Sequence, residues 1–101
     1  MTRFDDRSTL LQHAWLGDAV LALYVREKIL REDGVLDGEK YTRMTSNQFL
    51  SALGEPSAVE AAIGVVYQQE GLPAAFAYIE SRLVPLFEKQ ELNRRKRLGL
   101  T

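Results

Sequence analysis

The alternation of apolar and polar positions is helical along most of the chain. From Thr9 to about Asp33, apolar residues recur at helical spacings, with Ser8 as the expected N-cap and Gly34 at C′. Past Tyr24 this first helix turns amphipathic, Arg26, Glu27, Lys28 and Arg31 alternating with Val25, Ile29 and Leu30. A loop with two glycines, Asp33 to Gly38, leads to a second helix from Glu39 to about Leu53. That helix should bury Tyr41, Met44, Phe49, Leu50 and Leu53. Glu55-Pro56-Ser57 opens a third helix with Pro56 near N1, running to a terminating Gly71. Its middle is apolar nearly all round, which predicts the buried helix of the domain. Leu72-Pro73 starts a fourth helix. Pro85 should kink or break it, and a last, increasingly charged helix continues to about Arg97. The expected fold is therefore all-α, one compact domain over residues 1–101 built from about five helices.

Two acids interrupt the apolar stretches. Asp18 lies in Ala14–Val25 and shares a helix face with Leu11, Ala14, Trp15, Leu21, Ala22 and Val25, at spacings of three, four and seven. Glu60 stands alone in the third helix, one turn after Ser57. A carboxylate on an apolar face is costly to desolvate unless a cation, a donor or a proton compensates it. Two such acids on separate core helices suit a hard cation such as Mg²⁺, which takes oxygen ligands and keeps several waters. Alternatively each is a satisfied structural acid, Asp18 paired with Arg43 or His13 and Glu60 with an arginine or a helix N-terminus. Gly17, beside Asp18, costs roughly 1 kcal/mol in a helix interior relative to alanine, which points to a close backbone approach by another element or a ligand.

Composition narrows the class. At 46% hydrophobic residues the chain should fold as a globule, and no run approaches the roughly 18 apolar residues of a membrane span. Met1–Arg7 is polar, so no signal-peptide core is expected. The absence of cysteine removes disulfides and thiolate metal sites and fits a cytoplasmic protein. The net charge of −1 conceals a division. From about residue 89 onward Lys89, Arg94, Arg95, Lys96 and Arg97 face one acid, Glu91, whereas residues 1–88 hold eight basic and thirteen acidic side chains. Such a basic tail suits phosphate contact, or simply a helix C-terminus whose cations favour the dipole. Thr42, Arg43, Thr45, Ser46 and Asn47 form a polar cluster that reads either as local capping or as a surface for a polar ligand.

Trp-Leu-Gly-Asp-Ala-Val, residues 15–20, resembles the signature helix of the ribonuclease III family. Val-Glu-Ala-Ala-Ile-Gly-Val-Val-Tyr, residues 59–67, resembles the second acidic helix of that family, and Thr42–Asn47 with Phe49-Leu50-Ser51-Ala52 resembles the helix between them. The resemblance spans about Leu10 to Phe87. It implies a helical, homodimeric, Mg²⁺-dependent (or Mn²⁺-dependent) endonuclease for double-stranded RNA. In that reading Asp18 and Glu60 are catalytic and metal-binding, with Ser57 in the metal shell. Trp15 and Leu11 meet the partner subunit, and Arg43, Asn47, Arg94, Arg95, Lys96 and Arg97 contact RNA. Ala14 and Leu11 occupy the positions of two further family glutamates, and Ser57 that of a family aspartate. Trp15 preceded by Ala14 is closer to the compact Mini-III branch, which acts on structured precursor ribosomal RNA without a double-stranded-RNA-binding domain. The basic segment usual between the middle helix and the second acidic helix is missing, since Gly54 is followed at once by Glu55-Pro56-Ser57. The expectation is an endoribonuclease. The competing one is an inactive homodimer of the same fold that binds RNA or a protein.

Overall fold

The computed structural model describes residues 6–99, which form helices and connections with no strand among them. Six helical segments follow in order: α1 (Arg7–Asp33), α2 (Gly38–Thr45), α3 (Asn47–Ser51), α4 (Pro56–Glu70), α5 (Leu72–Arg82) and α6 (Val84–Arg97). The all-α expectation holds, and its boundaries shift for local chemical reasons. Asp6, not Ser8, caps α1, its Oδ1 accepting from the Thr9 N–H at 2.8 Å. The expected second helix is broken at Ser46, whose extended backbone stops α2 while its hydroxyl oxygen accepts from the Phe49 N–H at 3.1 Å and starts α3. The polar run Thr42–Asn47 thus includes a capping device. Pro85 sits in the first turn of α6, and the chain breaks before it, at Leu83. Glu55 caps α4, with Pro56 at its start, and Gly71 ends it at φ 94°.

All six segments feed one core. Val20, Leu21, Tyr24, Val25 and Ile29 of α1 meet Met44, Phe49, Leu50, Ile63, Ala75, Ile79, Leu83 and Phe87. Phe49 and Phe87 pack edge to face at 6.1 Å and tie the short α3 to α6, and Tyr24 and Phe76 do the same for α1 and α5 at 5.2 Å. Tyr24 is a core residue, 5% exposed. Leu53, expected inside, is 37% exposed at the end of the α3 turn. No single helix among the described residues is long and apolar enough to cross a membrane.

The most extensive helix contact is between α1 and α4. It is possible because both helices present glycine where they cross. A Cβ on Gly17 would collide with the Glu60 carbonyl oxygen and lie 2.9 Å from the Gly64 nitrogen. A Cβ on Gly64 would collide with the His13 carbonyl oxygen and lie 3.1 Å from the Gly17 nitrogen. The close approach expected at Gly17 is thus made by another helix, and Gly64 is its counterpart.

Candidate functional site

The crossing decides where the two acids go. Asp18 follows Gly17 on α1, and Glu60 lies one turn before Gly64 on α4. With the backbones in contact, the two carboxyl groups come within hydrogen-bonding reach of each other. Burial, followed by the hydrogen bond and charge of Asp18 and then the charge of Glu55, pushes the Glu60 carboxyl up to about 7 from an ordinary 4.5. A hydrogen bond between two carboxyl groups requires a proton on one of them, because an ionised carboxylate only accepts. A divalent cation can replace that proton.

The setting of Asp18 differs from the sequence expectation. Its side chain is on an exposed flank of α1, and the buried stripe runs beside it through Ala14, Gly17, Leu21 and Val25. The seven residues expected to share one apolar face are therefore divided between core and surface. Leu11 and Trp15 lie on the exposed side with Asp18, at 44% and 79% exposure. Glu60 is half-buried, so the pair opens outward from the edge of the core.

The arginine and histidine that the sequence offered as partners of Asp18 make other contacts. Arg43 donates to both Glu91 oxygens, Nε to Oε2 at 2.7 Å and Nη2 to Oε1 at 3.0 Å, and so joins α2 to α6. The His13 Nδ1 lies 2.6 Å from the Gln68 Oε1 across the α1–α4 contact. Arg43 is thus a structural bridge. The hydrogen bond from Arg43 holds the Glu91 carboxyl below its usual range. Glu91→Ala should cost about 2 kcal/mol, the loss of a charged hydrogen-bond pair, read as a lower urea midpoint at neutral pH. A lowered carboxyl stabilises above its unfolded value of 4.5 and loses that contribution as pH falls through the folded value. The gap between wild type and variant should therefore close in acid.

Of the remaining expected site residues, Ser57 stays beside Glu60, and Arg94 and Arg97 line one cavity with Arg43. Ser57 is half-buried one turn before Glu60, Asn47 is exposed at the start of α3, Arg94 is half-buried, and Arg95, Lys96 and Arg97 are exposed on α6. Among the described residues no three histidine, cysteine or acidic side chains converge as a metal-binding group. The Asp18–Glu60 pair is nevertheless a hard-oxygen donor set of the kind that suits a largely hydrated Mg²⁺. The Arg43–Glu91 bridge was missed from sequence, since 48 residues separate its members and no periodicity relates them. Lys28, buried with its Nζ 2.7 Å from Glu32 and 3.8 Å from Glu88, was half visible as an i,i+4 pair. Compared with protein-family models, curated proteins and solved structures, the chain matches none.

Proposed function

We propose that this protein is a compact, ribonuclease III-like endoribonuclease that hydrolyses double-stranded or structured RNA with Mg²⁺ held by Asp18 and Glu60. The observation that carries the reading is the juxtaposition of those two acids at the glycine crossing of α1 and α4. Their mutual repulsion and the desolvation of Glu60 are a standing cost to the metal-free fold, relieved by a proton or by a cation. The sequence resemblance around residues 15–20 and 59–67 supports the same assignment. Bound Mg²⁺ would supply positive charge to the phosphodiester under attack. Asp18 and Glu60 would bind and orient it, with Asp18 on the solvent-exposed side. Hydrolysis adds water across the P–O3′ bond, leaving a 3′-hydroxyl and a 5′-phosphate. Two copies would pair through the exposed Trp15 and Leu11 beside Asp18, placing two sites along one duplex.

The test is incubation of purified protein with end-labelled duplex and hairpin RNAs in Mg²⁺ and in EDTA. Cleavage with the stated end chemistry, only in the metal, is the expected result. No cleavage across the panel overturns the enzyme reading. Among the described residues no third acid joins the pair in a metal-binding group, which favours a second reading, an inactive helical dimer that binds RNA or protein. There, Asp18→Asn would leave every RNA-dependent readout unchanged.

A further inference from the structure

A cavity of about 500 Å³ opens between α3 and α6, and neither Asp18 nor Glu60 lines it. Gln90, Asn93, Arg94 and Arg97 form its α6 wall, at the i, i+3, i+4 and i+7 spacing of one helix face. Ser46 and Gln48 contribute from the opposite side. The Arg43–Glu91 bridge, also on its surface, is internally neutral, so the net positive charge comes from Arg94 and Arg97. Phe49, the only aromatic among the described residues that line the groove, is 3% exposed with its ring against Phe87, so it offers no face for a base to stack on. Arg95 and Lys96 are exposed on α6 and do not line the cavity.

We infer that this groove is a second RNA contact, separate from the acidic pair, which grips the ribose–phosphate backbone of a duplex. This rests on the proposal that the substrate is RNA. Two arginines meet phosphate oxygens, and the amides of Gln48, Gln90 and Asn93 both donate and accept, as a 2′-hydroxyl requires. A single strand would want an exposed aromatic platform, which the groove does not provide. The groove moves the RNA-facing role from Arg43 and the whole basic tail to one face of α6. It also supplies positive charge in a chain whose first 88 residues are net acidic.

The experiment measures binding of the full chain to a fluorescent RNA duplex in EDTA, where no cleavage occurs, across a KCl series. The DNA duplex of the same sequence and an Asp/Glu-rich peptide serve as comparisons. Arg94→Gln with Arg97→Gln should weaken RNA binding at least about tenfold and make the log–log salt slope shallower by about 2. Arg95→Gln with Lys96→Gln removes the same charge from the same helix and should change affinity less than about threefold, since those side chains lie off the groove. Gln48→Ala with Asn93→Ala should reduce the preference for RNA over DNA. Equal losses in the two charge-matched variants would mean a diffuse polycationic tail and overturn the groove. Capture of the acidic peptide with no RNA binding would overturn it in favour of a protein site. Groove-dependent RNA binding without cleavage in Mg²⁺ would overturn the nuclease proposal and leave the groove standing. Cleavage with unaltered binding by the Arg94/Arg97 variant would do the reverse.

Discussion

Gly17→Ala is expected to lower the stability of the fold by about 3 kcal/mol or more, with Gly64→Ala close behind. Overpacking a well-packed site ordinarily costs about 1–3 kcal/mol, because side chains can move aside. Here the obstacles are main-chain atoms on both helices, the Glu60 carbonyl against position 17 and the His13 carbonyl against position 64. The about 1 kcal/mol that alanine gains over glycine in helix propensity offsets only part of this. Against the 5–15 kcal/mol typical of a domain, such a loss is readily seen in a urea midpoint. The double variant should cost less than the sum of the singles, since one separation of α1 from α4 relieves both collisions. Unchanged or raised stability in either single variant would show that the crossing is looser than described.

Glu60→Gln should separate stability from function. In the metal-free wild type the Glu60 carboxyl lies near 7 folded and 4.5 unfolded, so between those values the native state holds more protons than the unfolded chain. Stability accordingly falls as pH rises through that window, and the cost is full above it. Removing the carboxylate should make the variant more stable in EDTA at alkaline pH, by about 1 kcal/mol once solvent screening of a half-buried group is allowed for. Below 4.5 that difference should vanish, because the wild-type carboxyl is then protonated in both states. Added Mg²⁺ should raise the wild-type midpoint above pH 7 and lose effect below it as the proton competes, and should do nothing to the variant. Cleavage by Glu60→Gln or Asp18→Asn should drop at least about 100-fold, since even outer-shell metal partners are worth 10- to 100-fold. Cleavage at wild-type rate in either variant would remove the pair from the chemistry.

Much of this was legible from residue spacing. The helices, the caps at Gly34 and Gly71, and the two acids on separate elements all follow from local rules about periodicity and terminators. Gly17 announced a close approach, but its partner could not be read, because Gly64 lies 47 positions on and nothing local relates them. The exposure of Asp18 was misread for a geometric reason. Spacings of three, four and seven cover an arc wide enough to include both the core stripe and its open flank. The break at Ser46 had only a weak local signal, a serine able to cap a helix, which the helical run around it outweighed. The engagement of Arg43 by Glu91 lies beyond any local rule, since it depends on how α6 returns across α2.

The exposure of Trp15 has a practical consequence. It is the only tryptophan in the chain, and 79% of it already faces solvent in the folded protomer. Its emission is therefore a poor gauge of unfolding, which changes its surroundings little. It is a sensitive gauge of company: a blue shift with rising concentration would register a second copy settling on this flank of α1, with no label added.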